Sequence, residues 1–128
     1  MIHLDGSAID RILLGKWQTD QPLGMSAIAY GEAVRGPTLK PMDGLLIAKA
    51  DVARDIDPSR IIPFTRDIAE IFAELSPRRT GGQQARDLMI AATAIARGAM
   101  LATNDRRLAA LHGVDIPGYA PLDILHIE

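Results

Sequence analysis

Four carboxylates stand at positions from which they can take part in chemistry. Asp5 directly follows the apolar run "IHL", and Asp105 follows the run "MLAT" after one intervening residue. Glu32 lies in "SAIAYGEAVRG", on a helical stripe that starts at Ile28. Asp87 heads the apolar segment "LMIAATAIA". If the two apolar runs are parallel strands, their carboxyl ends reach the same edge of the sheet. We therefore expect the four acids to meet in one pocket.

Such a pocket needs a positive partner, because two carboxylates about 5 Å apart repel each other by roughly 3 kcal/mol at an effective dielectric constant near 20. A hard divalent cation, Mg²⁺ or Mn²⁺, takes oxygen ligands and removes this repulsion. Zinc is a poor candidate, because the chain has no cysteine and its histidines are scattered at positions 3, 112 and 126. One or two such ions suit in-line attack on a phosphodiester, since the metal acidifies a bound water and stabilises the leaving oxygen.

Each acid also has a purely structural interpretation, which the residues alone leave open. Asp87 is explained equally by an N-cap or first-turn acid. The two acids that follow apolar runs are common turn residues, and Glu32 fits the solvated face of a helix. His3 is interpreted as a strand residue rather than a ligand, and Trp17 as a packing anchor or an interface residue.

The elements that must position these acids alternate between short strands and helices. Strands are predicted within 2–4, 60–64, 99–105 and 124–127. Helices are predicted over 7–14, 26–36, 45–55, 66–75 and 86–97, with Ser7, Ser26 and Thr65 as N-caps. Residues 15–25 and 76–86 are predicted loops, and Gly36 with Pro37 is expected to end the second helix. Strands separated by helices predict a parallel sheet with helices on both faces.

Composition restricts the class of protein. A chain of 128 residues with 48% apolar residues suits one domain with a real core. No apolar run is long enough to span a bilayer and no signal peptide is recognised, so a non-membrane protein is expected. The absence of cysteine fits a reducing cytoplasm. The net charge of −2 does not announce a nucleic-acid partner, although the eleven arginines against three lysines favour bidentate contacts with phosphate or carboxylate.

Taken in order, four segments resemble the PIN domain family, in particular the bacterial VapC-type toxins of toxin–antitoxin pairs. They are "MIHLDGSAI", "SAIAYGEAVRG", "ARDLMIAATAIARGAMLATNDRRLAAL" and the ending near "GVDIP". The most specific part is 86–111, where an Asp heads an "IAATA" helix that is followed by Gly, a short strand and T-x-D. The resemblance implies a single domain over 1–128, a three-layer α/β/α sandwich with a short parallel sheet, and metal-dependent endoribonuclease activity.

The resemblance also implies roles for particular residues. The acids that match the metal-holding, catalytic quartet of the family are Asp5, Glu32, Asp87 and Asp105. Ser7 matches a small polar residue near the first acid, and Thr103 matches the hydroxyl before the last acid and is expected to support it. Many relatives carry a further acid in T-x-D-x-D, where this chain has Arg107. This departure puts a fifth acidic ligand and a second metal in doubt.

Partners follow from the same resemblance. An RNA substrate is expected, and its phosphates would bind arginines that lie near the acids in sequence, unless these are merely solvated. These arginines are Arg78, Arg79, Arg86, Arg106 and Arg107. A small antitoxin is also expected, with an Arg able to occupy the acid pocket in place of metal. Residues 10–14 and 44–54 with Trp17 are the candidate groove for it, with core packing as the alternative. A homodimer is expected as well.

Other functions remain open from the sequence. One is a housekeeping RNA-processing PIN nuclease, which a neighbouring antitoxin-like reading frame would argue against. Another is a PIN-like binding module that does not cleave, which the presence of all four acids disfavours. A phosphoacceptor receiver domain fits less well, because no adjacent pair of acids follows the first strand and the few lysines are not placed at late strand ends.

Overall fold

The computed structural model describes residues 1–128, and its centre is a five-stranded, wholly parallel sheet. The strands are β1 (Ile2–Leu4), β2 (Leu23–Ser26), β3 (Ile61–Ile62), β4 (Met100–Thr103) and β5 (Ile124–His126). Their order across the sheet is β3-β2-β1-β4-β5. The predicted parallel sheet is therefore confirmed, and β1 and β4 are neighbours at its centre.

Six α-helices surround the sheet: α1 (Gly6–Leu13), α2 (Ala27–Leu39), α3 (Gly44–Asp55), α4 (Arg66–Leu75), α5 (Ala85–Arg97) and α6 (Arg106–Ala109). From β1 to β3 the chain moves across the sheet in one direction, and from β3 through β4 to β5 it moves back in the other. Because parallel crossovers are right-handed, the first three helices lie on one face and the last three on the other. The packing agrees, since α1 and α2 contact α3, and α5 contacts α4 and α6. The α/β/α arrangement is confirmed.

Helix α5 is apolar on nearly all sides because it lies inside the molecule. Its buried residues form an unbroken central run, Ile90 to Ile95, preceded by Asp87 and Leu88. It packs against α4 on one side and contacts β2 and β4 on the other. It ends at Gly98, which adopts φ 59°, a left-handed conformation that glycine takes without strain. The core therefore holds α5 in a fixed position, and Asp87 in its first turn lies at the edge of the sheet.

The predicted loop at 15–25 is wrong in its last residues, because β2 begins at Leu23. Gly24 is a strand residue paired with His3. A Cβ on Gly24 would lie 2.9 Å from the Met1 sulfur and 3.0 Å from the Arg60 carbonyl oxygen. The glycine is thus required by the close approach of neighbouring chain segments and does not mark a turn.

The predicted end of the second helix at Gly36 and Pro37 is also wrong, because α2 continues to Leu39 with Pro37 inside it. Proline in the last turn removes only one intrahelical hydrogen bond. In compensation, α2 packs closely on α3: a Cβ on Gly36 would stand 3.4 Å from the Leu46 side chain. Tertiary packing therefore outweighs the local breakers.

The N-cap prediction for Ser7 is wrong, because α1 begins at Gly6 and Asp5 caps it by accepting a hydrogen bond from the Ala8 N–H. Ser26 does cap α2, since its hydroxyl accepts from the Ala29 N–H at 3.0 Å. Thr65 holds the N-cap position of α4, but its hydroxyl donates to the Asp67 carboxylate instead of capping the backbone. The short helix α6 was not predicted.

None of these helices has the length and apolarity that crossing a membrane would require.

Candidate active site

The candidate site lies where the direction of the chain across the sheet reverses. From β1 the chain turns towards β2, whereas β4, the neighbour of β1 on the other side, leads to β5. In open parallel sheets this switch point leaves a crevice beyond the carboxyl ends of the two central strands. Asp5 directly follows β1, and Asp105 follows β4 after Asn104. The topology therefore brings together two acids that are separated by a hundred residues in the sequence.

Asp5 is fixed by a buried network of hydroxyl and backbone donors. Its side chain is 7% exposed, and Oδ1 accepts hydrogen bonds from the Ser7 hydroxyl at 2.7 Å and the Ala8 N–H at 2.9 Å. Oδ2 accepts from the Thr103 hydroxyl. The Asp105 backbone N–H in turn donates to the Thr103 oxygen at 2.9 Å. Ser7 and Thr103 thus lie between the two strand-end acids, and Thr103 contacts the Asp5 carboxylate as well as the backbone of Asp105.

Burial raises the pKa of the Asp5 carboxyl above its usual value, while hydrogen bonds from Thr103, Ser7 and the Ala8 N–H oppose the rise. The charge of Asp105 makes the smallest contribution to the rise. Repulsion among the acids is therefore a lesser cause than removal of Asp5 from water.

Asp87 combines the two interpretations that the sequence had left open. It lies in the first turn of α5, and its Oδ2 accepts a hydrogen bond from the Gln84 N–H at 2.9 Å, which is half of a capping box. Its other oxygen accepts no hydrogen bond from the protein, yet it is not among the buried unpartnered polar atoms. That oxygen therefore remains accessible from the pocket, although the residue is 7% exposed overall.

Glu32 and Asp105 complete the predicted quartet, and each faces an arginine. The Arg86 guanidinium lies 2.9 Å from Glu32 Oε2, linking α5 to α2. Asp105 is the N-cap of α6, where its Oδ1 accepts from the Arg107 N–H at 2.9 Å and lies 3.8 Å from the Arg107 Nε. Two of the five predicted phosphate-binding arginines thus pair with acids of the quartet.

All four acids line one cavity of about 290 Å³ at the switch point. Two charged residues that sequence reasoning missed also line it, Asp10 and Lys49, whose carboxylate and ammonium lie 3.0 Å apart. Asp10 follows Gly6 and Ser7 by four and three residues on α1, so the helical period could have indicated that it faces the same way. Lys49 comes from α3 and carried no sequence signal. The cavity holds five carboxylates and two cations, Lys49 and Arg86.

The donor chemistry of this cavity fits a hard divalent cation, because every anionic ligand is a carboxylate and no thiolate exists in the chain. No three Asp, Glu or His side chains lie close enough together to form a direct metal site in this arrangement. A cation that keeps several waters and binds only one or two carboxylates directly, as Mg²⁺ does, would not require such a group of three. Asp87, Asp105 and Glu32 each have one carboxylate oxygen that accepts no hydrogen bond from the protein, and these oxygens are available to a ligand.

The remaining predicted arginines fall into two groups. Arg106 lies beside Asp105, at the edge of a second cavity. Arg78 lines none of the major cavities; it donates to the Asp115 carbonyl and lies 3.9 Å from Glu74. Arg79 donates to the Ser76 carbonyl at 3.4 Å. The structure therefore does not bring Arg78 and Arg79 to the acid pocket.

Known structures share this architecture. A chain of VapBC-5, a member of the VapBC family of toxin–antitoxin systems from Mycobacterium tuberculosis, superposes with a TM-score of 0.71 and 21% identity, over 98% of this chain and 97% of that one. VapBC2 from Rickettsia felis, bound to a DNA fragment from the promoter, superposes with a TM-score of 0.64 and 22% identity, over 100% of both chains. FitAcB from Neisseria gonorrhoeae superposes with a TM-score of 0.59 and 26% identity, over 84% of this chain and 90% of that one.

Sequence comparison identifies the family directly. No curated protein matches the chain significantly. The family model of the PIN domain, however, matches residues 2–114, which include β1 to β4 and all four acids of the pocket. Together with the parallel sheet and the position of the pocket at its switch point, this match shows that the chain belongs to the PIN domain family.

Proposed function

We propose that this protein is a metal-dependent endoribonuclease and the toxin of a type II toxin–antitoxin pair. The observation that carries the proposal is the convergence of Asp5, Glu32, Asp87 and Asp105 on one polar cavity at the switch point of the sheet. A divalent cation bound there, Mg²⁺ or Mn²⁺, supplies an acidified water and stabilises the negative charge that develops on the leaving oxygen.

The residues of the chain have distinct parts in this chemistry. Asp5 is held rigidly by Ser7, Thr103 and the Ala8 N–H, so it provides a fixed carboxylate at the floor of the pocket. Asp87 and Asp105 each have one carboxylate oxygen engaged with backbone N–H groups and the other free to face a ligand. Such preorganised groups do not have to reorient during the reaction, which is the main requirement of electrostatic catalysis.

The antitoxin partner is supported by the similar solved structures, which include a member of the VapBC family of toxin–antitoxin systems and a toxin–antitoxin complex from Klebsiella pneumoniae. In this chain α1 packs against α3. Leu14 at the end of α1, and Leu45 and Ile47 near the start of α3, have exposed side chains. Trp17 is half-buried and packs against the core. These residues are the proposed groove for a small antitoxin, and we also propose a homodimer. Sedimentation of the purified protein tests the homodimer, and co-expression with the neighbouring gene tests the antitoxin. A monomer in sedimentation and the recovery of no partner from co-expression would contradict these two proposals.

The activity is tested with purified protein and a structured RNA, with Mg²⁺, with Mn²⁺ and with EDTA. Asp5→Asn, Glu32→Gln, Asp87→Asn and Asp105→Asn should each lower the cleavage rate by roughly a hundredfold or more, because each removes charge that must be in place for the transition state. Asn is used rather than Ala because it preserves helix capping. Circular dichroism verifies that each variant is folded.

Asp10→Asn is the matched control, because Asp10 lines the same cavity but is neutralised by Lys49. It should keep most of the cleavage. Full activity of Asp5→Asn or Asp87→Asn would contradict the assignment of the quartet. If the wild type binds RNA but never cleaves it with either metal, the chain is a binding module and the nuclease proposal is wrong.

A further inference from the structure

A second polar cavity adjoins the acid pocket and shares Asp105 with it. It encloses about 550 Å³, and no hydrophobic residue lines it. Its other lining residues are Arg11, Asn104, Arg106, His126 and Glu128. They come from the last turn of α1, the segment from the end of β4 to the first residue of α6, and the chain from β5 onward. Only the fold brings these three segments together.

The two arginines of this cavity have no partner in the protein. Neither Arg11 nor Arg106 takes part in any of the four ion pairs, and neither guanidinium donates a side-chain hydrogen bond. The guanidiniums of Arg60, Arg78 and Arg86, by contrast, are engaged with carbonyls or carboxylates. A free guanidinium offers a planar fork of donors that matches two oxygens of a phosphate.

Two polar neighbours of the arginines, Asn104 and His126, already have partners in the protein. The Asn104 amide donates to the Ile127 carbonyl at 2.7 Å, and His126 Nε2 lies 3.3 Å from the Asn104 carbonyl oxygen. These contacts hold the cavity wall in shape. Glu128 is an exposed acid at the rim, and Arg107 lies beside Asp105 as a third guanidinium. Among the residues that line this cavity, Arg11 and Arg106 are the two with free guanidiniums. The carboxylates of Asp105 and Glu128 also line it, but neither forms an ion pair with these arginines.

We propose that Arg11 and Arg106 form a subsite for the phosphate of an RNA strand adjacent to the phosphodiester held in the acid pocket. This inference rests on the proposed ribonuclease function. The acid pocket, with five carboxylates against two cations, repels RNA until metal is bound, so binding needs attraction from outside it. Two free guanidiniums on the far side of Asp105 supply that attraction. The contact is to the backbone, so it fixes the position of the strand and reads no base.

The experiment measures the salt dependence of binding in a non-cleaving background. Asp87→Asn protein is titrated with a fluorescein-labelled single-stranded RNA, with Mg²⁺ present, at several KCl concentrations. Arg11→Gln and Arg106→Gln, each added to that background, should weaken binding roughly tenfold. Each should lower the slope of log affinity against log salt by about 0.7, the value for one phosphate contact on a single strand. Arg78→Gln is the matched control and should leave both quantities unchanged.

Arg11→Lys and Arg106→Lys separate the loss of charge from damage to the fold, because they change the same positions but keep the positive charge. They should retain the slope of the Asp87→Asn parent while losing part of the affinity, since lysine cannot form the bidentate contact. Unchanged slopes in both Gln variants would overturn the subsite, even if the protein cleaves RNA. Reduced slopes in a protein whose wild type never cleaves would support the subsite and remove the nuclease proposal. Absence of RNA binding by the Asp87→Asn parent would overturn the subsite, whereas the nuclease proposal is overturned only if the wild type does not cleave RNA with either metal.

Discussion

At the scale of single residues, the acids of the pocket serve the fold and the site at once. Asp5 caps α1, Asp105 caps α6, and Asp87 accepts a hydrogen bond in the first turn of α5. Each carboxylate is thereby oriented by backbone N–H groups at the start of a helix. The structural and the functional interpretations of these residues therefore do not compete, because capping is the means by which they are positioned.

The ion pair between Arg86 and Glu32 gives a prediction about metal binding. Arg86 Nη1 lies 2.9 Å from Glu32 Oε2, so in this state the guanidinium is the counter-ion of a proposed metal ligand. Arg86→Gln should therefore tighten Mn²⁺ binding, measured by isothermal titration calorimetry. Because Arg86 is half-exposed and such pairs contribute at most about 1 kcal/mol, the gain should be up to roughly fivefold.

A double-variant cycle separates this pair from a general loss of positive charge. In a Glu32→Gln background, Arg86→Gln should change Mn²⁺ affinity by no more than the control Arg78→Gln does, because Arg78 contacts Asp115 and Glu74 and none of the four acids. An equal gain with and without Glu32 would show that the pair has no specific part. Weaker Mn²⁺ binding in Arg86→Gln alone would show instead that Arg86 holds Glu32 in place for the metal.

At the scale of elements, β2 and α2 show that glycine has opposite effects in two settings. Gly24→Ala should lower the free energy of unfolding by about 1–3 kcal/mol, because the new Cβ would lie 3.0 Å from the Arg60 carbonyl oxygen, a backbone atom. Gly31→Ala should raise it by up to about 1 kcal/mol, because Gly31 lies inside α2 with nothing within 4 Å of the new Cβ. Urea denaturation of the two variants measures both; stabilisation by Gly24→Ala would contradict the close packing of β2.

At the scale of the whole molecule, two buried groups, His3 and Asp5, change the free energy of unfolding with pH in opposite directions. His3 is 1% exposed, neither ring nitrogen has a partner, and burial lowers its pKa from 6.5 to about 4. The unfolded chain therefore binds a proton that the folded protein does not between those values, and stability falls as pH drops below 6.5. Asp5 acts in the opposite direction. Its pKa is raised, so its contribution is full below the unfolded value and is lost as pH rises through the folded value.

Thermal and urea melts between pH 7 and pH 4.5 should show the effect of His3 directly. The wild type should lose up to about 1.4 kcal/mol per pH unit below pH 6.5 from this residue. His3→Leu should be at least as stable as the wild type at pH 7, because it removes two unsatisfied buried nitrogens, and its pH slope should be flatter. Asp5→Asn should instead steepen the loss on acidification, since the opposing group is gone. Equal slopes in the wild type and His3→Leu would contradict the buried neutral histidine.

Local chemistry in the sequence determined most of the elements and the identity of the candidate acids. The period of apolar residues located α3, α4 and α5, and short apolar runs located β1, β4 and β5, because these patterns depend on neighbours only a few residues away. The acids could be selected because each follows a strand or lies on a helix beside small or apolar residues. The segments 15–25 and 36–39 were misjudged because Gly24, Gly36 and Pro37 discourage regular structure locally, whereas distant segments that pack on them stabilise it.

The tertiary structure alone decided the surroundings of those acids. Lys49 lines the pocket with them, Arg86 pairs with Glu32 across it, and Arg11 lines the adjoining cavity with Arg106, each through segments that are far apart in the sequence. It also decided that Arg78 and Arg79 lie away from the pocket, although they are closer in sequence to Asp87 than Arg11 is. Nearness in sequence constrains a side chain only within one element. The charge that a carboxylate faces across a cavity is set by the order of the strands and by the packing of the helices over them.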